Sequence, residues 1–203
     1  MPSALILIAD GTEEMEFTIV YDTLVRAGVK CTSVLINPAN NSGEDQGTAQ
    51  CSRGIQIVPD TSQSQLSLSS AAEYDAIIIP GGAKGAETMS QSLYVQFLVR
   101  DFYQKKKHVG MICAGSLVAQ TSQLPHQPLT SHPSVKEQLD KDFDYREDSV
   151  VVSGNLITRS KLNFPTSLGT AFPFAFALVE GLCGAQKRSE IVTPMVFPSG
   201  TPL

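Results

Sequence analysis

The fold of this chain is organised around the stretch His108-Val109-Gly110-Met111-Ile112-Cys113-Ala114-Gly115-Ser116-Leu117-Val118-Ala119. A mostly apolar run leads to one cysteine, and small residues and a helical pattern follow it. We therefore predict a buried strand, a tight turn at Cys113 and a helix that begins at once. Such an elbow raises the cysteine above the sheet edge, where the first N–H groups of the helix and the helix dipole favour negative charge. We expect the pKa of this thiol to lie below its usual value of about 8.5. The alternative is a buried core cysteine.

The apolar runs around this stretch predict a parallel sheet. Residues 4–9 and 75–79 are almost continuously apolar, which is typical of strands covered by helices on both faces. Helical spacing of apolar residues separates such runs, and it predicts helices that bury residues 17–27, 95–102 and 172–182. This alternation predicts an α/β fold, a doubly wound and mostly parallel sheet with helices on both faces, in one domain spanning residues 1–203.

Less regular segments give weaker predictions. We expect strands at residues 31–36 and 55–58, a helix near 134–140, and a hairpin whose strands are residues 150–152 and 156–158. The polar segments 37–54 and 61–70 are predicted to be loops.

Composition excludes several classes of protein. The 203 residues are 42% hydrophobic and 17% charged, which suits a soluble domain, and the net charge of −5 argues against a nucleic-acid or anionic-membrane surface. No apolar run approaches the roughly 18 residues of a membrane span. The four cysteines are scattered and form no CxxC pair, so we predict reduced thiols in a cytosolic protein, neither a disulfide framework nor a metal site.

The carboxyl ends of the predicted strands bring three polar segments to one edge of the sheet, where ligands bind in such folds. Glu16 precedes the core-facing Phe17 and could point back toward the elbow, where desolvation would raise the pKa of its carboxyl. The other two acids of this segment, Glu13 and Glu14, are predicted to be solvated and to complement the helix dipole.

Backbone amides and one histidine complete the candidate site. The N–H of the Gly81-Gly82 turn could join that of Ala114 to hold an oxyanion, although the glycines could equally form an ordinary turn. Of the three histidines, His132 is the only plausible base, and the sequence alone does not place it against Cys113.

Five motifs resemble the DJ-1 branch of the DJ-1/PfpI superfamily, in its order and spacing. They are DGTEEME at 10–16, QCSRG at 50–54, IIPGGAKGAE at 78–87, ICAGSLVA at 112–119 and TSHPSVKEQL at 130–139. The resemblance spans residues 4 to about 184, and it implies a flavodoxin-like fold.

The resemblance also assigns roles to individual residues. It implies that Cys113 is the nucleophile, that Glu16 hydrogen-bonds it, that His132 lies nearby, and that Gly82 and Ala114 supply oxyanion-hole amides. It further implies a homodimer whose interface includes the segments around Met15 and Cys51. Two segments depart from the family pattern. The segment 159–165 is longer than its counterpart in animal relatives, and the tail from 187 to 203 differs in sequence.

These observations predict a glutathione-independent glyoxalase that converts methylglyoxal to lactate through a Cys113 hemithioacetal, with glyoxal as a further substrate. We expect a small 2-oxoaldehyde as the partner, no metal or organic cofactor, no nucleic acid or membrane, and a cytoplasmic location, with the nucleus as a second compartment. One alternative is an oxidative-stress sensor, holdase chaperone or protein deglycase that uses an oxidisable Cys113. A third hypothesis, a cysteine protease or amidase, lacks an evident acid to orient His132.

Overall fold

The computed structural model describes residues 1–37, 47–160, 171–197 and 201. In these ranges the chain alternates strands and helices. The strands are β1 (Ser3–Ile8), β2 (Lys30–Leu35), β3 (Ala49–Gln50), β4 (Gln56–Ile57), β5 (Thr61–Ser62), β6 (Ala76–Ile79), β7 (His108–Ile112), β8 (Pro128–Leu129), β9 (Asp144–Tyr145), β10 (Val150–Ser153) and β11 (Leu156–Arg159). The helices are α1 (Glu14–Arg26), α2 (Leu68–Ala71), α3 (Ala83–Gln91), α4 (Leu93–Gln104), α5 (Leu117–Thr121), α6 (Lys136–Leu139), α7 (Ala171–Cys183) and α8 (Ala185–Val192).

The central sheet has seven strands in the order β10-β11-β7-β6-β1-β2-β5. The pairings from β11 to β5 are parallel, and β10 pairs with β11 in an antiparallel hairpin. Strand β1 lies inside the sheet, between β6 and β2, and the later strands of the sheet are added on both sides of it. This topology confirms the predicted doubly wound, mostly parallel α/β fold.

Helices cover both faces of the sheet. Successive side chains of β1 point to opposite faces, so Leu5 and Leu7 belong to one core and Ile6 and Ile8 to the other. The first core is closed mainly by α4, and the second by α1 and α7. Because both faces are buried, the strands are apolar throughout, which is the pattern that the sequence shows.

Several short elements differ from the sequence-based expectations. Residues 55–58 contain β4, which pairs with β3 in a separate two-stranded sheet. The polar segment 61–70, predicted to be a loop, contains β5 and the first three residues of α2. The predicted helix near 134–140 begins as a 3-10 turn, Pro133–Val135, before α6. Two helices, not one, follow Gly82, because the side chain of Ser92 caps α4 and separates it from α3.

Two predictions lie partly outside the described residues. Of the polar segment 37–54, residues 38–46 are outside, and of the longer segment 159–165 only Arg159 and Ser160 are described. The tail contains α8, which the sequence analysis did not predict. None of the helices in the described ranges has the length and apolar content that crossing a bilayer requires.

Candidate active site

The predicted elbow at Cys113 is present. Strand β7 ends at Ile112, Cys113 adopts a left-handed backbone conformation with φ +61°, and a 3-10 turn, Cys113–Ser116, leads into α5. The turn packs closely on the end of β6, because a Cβ at Gly115 would lie 2.6 Å from the carbonyl oxygen of Ile79. A left-handed non-glycine residue costs roughly 1–2 kcal/mol, and such strain is characteristic of functional sites.

Glu16 reaches the elbow from the first turn of α1. Its side chain is buried, and its Oε2 accepts a hydrogen bond of 2.8 Å from the N–H of Gly81. The carboxyl also shares a hydrogen bond with the thiol of Cys113. A Cβ on Gly81 would lie 2.5 Å from Glu16 Oε2 and 2.7 Å from Cys113 Cβ, so the two side chains meet over a position that only glycine can occupy.

The ionisation of Glu16 and Cys113 is governed by their burial. Burial raises the pKa of Glu16 to about 7, against the hydrogen bond from Gly81. Burial and the neighbouring carboxylate raise the pKa of Cys113 to about 12, although the N–H of Ala114 and the charge of Arg159 favour the thiolate. The predicted increase for Glu16 therefore agrees with the structure, whereas the predicted decrease for Cys113 was wrong. The pair releases one proton near neutral pH and retains the other, shared between sulfur and carboxylate.

The other acids at this helix start differ from each other. Glu13 caps α1, since its Oε2 accepts a 2.8 Å bond from the N–H of Glu16. Glu14, predicted to be solvated, is buried and accepts bonds from Ser52 Oγ and the N–H of Arg53, both at 2.9 Å. Burial alone would raise the pKa of Glu14, but these hydrogen bonds outweigh it and lower the pKa. The expectation failed because the partners come from a segment almost forty residues away.

His132 lies on a loop that is fixed to the elbow. Its N–H donates to the carbonyl oxygen of Cys113 at 3.1 Å, and the preceding Thr130 binds both Ser116 Oγ, through its carbonyl, and Thr158 Oγ1, through its N–H. The ring Nδ1 accepts a bond of 3.1 Å from the N–H of Ser134 and lies 2.7 Å from Ser134 Oγ. A neutral ring that accepts at Nδ1 carries its proton on Nε2.

All five predicted site residues line one cavity of about 260 Å³ at the carboxyl edge of the sheet. Its lining residues are Glu13, Glu16, Ser52, Arg53, Gly82, Ala83, Cys113, Ala114, His132 and Ser134. Gly82, with φ +90°, precedes α3 and could not carry a Cβ without striking the backbone of Gly11 and Glu13. Gly82 and Ala114, whose amides are the predicted oxyanion donors, therefore line the same cavity as Cys113.

A larger cavity, of about 480 Å³, lies at the opposite end of the sheet around His108 and Lys107. His108 begins β7 there, as predicted, and none of the five candidate residues lines this cavity. His126, the remaining histidine, bonds the carbonyl oxygen of Asp142 through Nδ1 at 2.9 Å. The chemistry-bearing side chains therefore concentrate at the smaller cavity.

Sequence reasoning missed Arg159. This last residue of β11 is 1% exposed, and it interacts electrostatically with both Glu16 and Cys113. Its register neighbour on β7 is Ile112, which places it beside the elbow. The available signal was an arginine that ends an otherwise uncharged, strand-like run in residues 156–159.

Comparison with known proteins agrees with this fold. Residues 2–180 match the model of the DJ-1/PfpI family. Glutathione-independent glyoxalase DJ-1 of Schizosaccharomyces pombe is 34% identical, over 98% of this chain and 100% of its own length. Protein dj-1beta of Drosophila melanogaster is 38% identical, over 93% of this chain and 94% of its own.

Solved structures give the same result. The structure of Schizosaccharomyces pombe DJ-1 superposes with a TM-score of 0.86 at 35% identity, covering 97% of this chain and 100% of that one. The family match spans most of the chain, and the fold agrees over nearly all of it. This chain belongs to the DJ-1/PfpI family.

Proposed function

We propose that this protein is a glutathione-independent glyoxalase that converts methylglyoxal to lactate. The single observation that carries the proposal is the contact between Cys113 and Glu16 on the wall of a cavity of about 260 Å³. A thiol that is hydrogen-bonded to a base with a pKa near neutral pH can lose its proton to that base as it attacks. The name of the Schizosaccharomyces pombe relative, a glutathione-independent glyoxalase, supports the same reaction class.

The first step is attack of the Cys113 sulfur on the aldehyde carbon. The thiol proton passes to the Glu16 carboxylate, the C–S bond forms, and the aldehyde oxygen takes the electron pair of the broken π bond. The amides of Gly82 and Ala114 line the cavity where this oxyanion would develop, and they stabilise it. Glu16 returns this proton to the oxyanion, which gives a hemithioacetal and restores the carboxylate.

The second step moves a proton between adjacent carbons. A base removes the hydrogen of the former aldehyde carbon while the neighbouring carbonyl oxygen takes up a proton, which gives an enediol. A proton then returns to the neighbouring carbon and the hydroxyl on the sulfur-bearing carbon loses its proton, which gives the thioester of lactate. We assign the base to the Glu16 carboxylate and the proton donor to His132, which lines the same cavity and in its neutral state carries its proton on Nε2. Water then hydrolyses the thioester, which releases lactate and restores the thiol of Cys113. The scheme uses only groups of this chain and water.

Lactate formation from methylglyoxal in the absence of glutathione tests the proposal. We expect turnover by the wild type, loss of at least about a thousandfold in Cys113→Ser, and a loss of about a hundredfold or more in Glu16→Gln. Cys183→Ser is the matched control, since Cys183 is a half-exposed free thiol that does not line the cavity. Turnover that survives in Cys113→Ser would refute the mechanism.

His132→Gln separates the two steps. We expect slow lactate formation with an unchanged rate of Cys113 alkylation by iodoacetamide, because the histidine acts after the sulfur has attacked. If alkylation falls as much as turnover does, His132 assists the attack itself and the assignment of the proton exchange is wrong.

Oxidative sensing through Cys113 is the second candidate function. It is favoured by one observation: of the four free cysteines, Cys113 is the one that lines the cavity, where the Gly82 and Ala114 amides could hold sulfinate oxygens. Mass spectrometry after mild peroxide tests it. Addition of two oxygens at Cys113 before any other cysteine, in a protein that forms no lactate, would favour sensing over the glyoxalase.

The oligomeric state and the cellular location of this protein are proposed from its family resemblance. We propose a homodimer whose interface includes the segments around Met15 and Cys51 and covers the exposed Met15, and a cytoplasmic location that extends to the nucleus. Sedimentation of the purified protein tests the first, since a monomer at micromolar concentration would contradict it.

A further inference from the structure

Arg159 is a buried cation whose hydrogen-bonding groups are not all satisfied. Its side chain is fully buried at the end of β11, yet Nε and Nη2 have no hydrogen-bond partner in the described structure. A buried guanidinium ordinarily uses its five N–H groups to satisfy carboxylates or carbonyls, and leaving them unpaired is costly. Hydrogen bonds of Nε and Nη2 therefore do not explain its burial, which points to its charge.

The charge of Arg159 is directed at the candidate site. Burial lowers the pKa of Arg159 to about 10, so the guanidinium is still cationic at neutral pH. The acidic groups with which it interacts are Glu16 and Cys113, which reach it from α1 and from the elbow. When this pair carries one proton its charge is −1, and together with the arginine the cluster is neutral. Loss or gain of a proton leaves a net charge in a buried place.

We propose that Arg159 is a positioning residue whose fixed positive charge holds the Glu16–Cys113 pair in its reactive, one-proton state. This inference deepens the proposed function, since it rests on Cys113 as the nucleophile of that site. The arginine does not line the cavity, so it acts on substrate only through the pair. Without it, the pair would retain its second proton to higher pH, and Glu16 could no longer accept the proton of the thiol at neutral pH.

Other charged groups at the site do not replace this function. Glu13 lies at the start of α1 and adds negative charge near Glu16, which opposes ionisation. Arg53 and His132 line the cavity from other segments, and Arg53 is exposed. Among the described residues Arg159 is the buried cationic side chain, and its partner on β7 is Ile112, the residue that precedes Cys113.

The test is the pH dependence of Cys113 alkylation by iodoacetamide, followed peptide by peptide with mass spectrometry. In Arg159→Met we expect the midpoint of the alkylation profile to move upward by about one pH unit or more, and alkylation at pH 7 to fall about tenfold. Arg159→Lys retains the charge and should stay within about half a unit of the wild type. Arg188→Met, which removes a half-buried arginine of α8 that pairs with Glu180, should not move the midpoint.

Two results would overturn the inference. One is a folded Arg159→Met protein with the wild-type midpoint, and the other is Arg159→Lys moving as far as Arg159→Met, which would indicate a role in shape. Should Arg159→Met fail to fold, Arg159→Gln supplies the uncharged variant, judged by the same midpoint. Alkylation requires no turnover, so absence of lactate formation in the wild type would refute the proposed function without deciding this test.

Discussion

Replacing Glu16 with glutamine should stabilise the protein at neutral pH while it abolishes turnover. The structure raises the pKa of Glu16 from 4.5 to about 7, chiefly by burial. The folded state therefore binds this proton more tightly than the unfolded state does. The stability that the proton contributes is complete below about pH 4.5 and is lost as the pH rises through 7. Glutamine keeps the shape of the protonated acid and carries no such dependence.

The size of the effect follows from the shift. At about 1.4 kcal/mol per pH unit, a change from 4.5 to about 7 corresponds to about 3 kcal/mol in the free energy of unfolding. The difference in stability between Glu16→Gln and the wild type should thus become more favourable to the variant by about 3 kcal/mol between pH 4.5 and pH 8. Effects that do not depend on pH, such as a weaker bond to Gly81, cancel in this comparison.

Urea unfolding of both proteins at five pH values between 4.5 and 8, with reductant and at one protein concentration, measures this difference. Glu14→Gln is the matched control, two residues away on α1. Hydrogen bonds from Ser52 and Arg53 lower the pKa of Glu14, so its ionised form stabilises the fold above about pH 4.5 and Glu14→Gln should gain nothing as the pH rises. A flat difference for Glu16→Gln over this range would refute the argument that Glu16 is held at an energetic cost.

Three further substitutions test how the site is built. Gly81→Ala places a Cβ 2.5 Å from Glu16 Oε2, so turnover should fall at least about tenfold in the lactate assay. Thr158→Val removes the acceptor of the Thr130 N–H and should cost about 1–2 kcal/mol in urea unfolding, with a lower turnover. Ser134→Ala removes the hydroxyl 2.7 Å from the ring of His132 and should reduce turnover severalfold, with Cys113 alkylation unchanged.

Two of these substitutions have a control variant, and each has a result that would contradict it. Gly184→Ala, also at a positive φ but with open space around it, should cost stability without specific loss of turnover. Thr158→Ser keeps the acceptor and should restore stability. A normal rate in Gly81→Ala, full stability in Thr158→Val, or slowed alkylation in Ser134→Ala would each contradict the role assigned above.

The strands and the elbow could be predicted because local pattern determines them. Residues 4–9 and 76–79 are apolar because both faces of their strands are covered, and that requirement is visible in any such run. The elbow at Cys113 follows from a buried strand that meets small residues and a helix. The predicted strand at residues 55–58 contains β4, whereas β3 and β5 were missed, because each has only two residues and is a strand only through its pairing with β4 or β2.

The energetics of the site depend on contacts that no local pattern reveals. The helix start alone argues for a lowered thiol pKa at Cys113, but burial and the carboxylate of Glu16 oppose it and prevail. That carboxylate belongs to a helix almost one hundred residues earlier in the chain. Gly81 illustrates the same difficulty: its need to be glycine arises from two side chains that reach it from other segments.

The burial of Glu16, Cys113 and Arg159 connects the stability of the fold to its chemistry. Each group alone would be costly to bury as an ion, and together they reach electrical neutrality only when the acid and the thiol share a single proton. That state is also the one from which sulfur can attack an electrophile while Glu16 takes its proton. The same charge balance therefore limits the cost of burial and prepares the pair for reaction, which is why we expect Arg159→Met to be folded and slow. The expected stability of Glu16→Gln follows separately, from the raised pKa of the acid that it replaces.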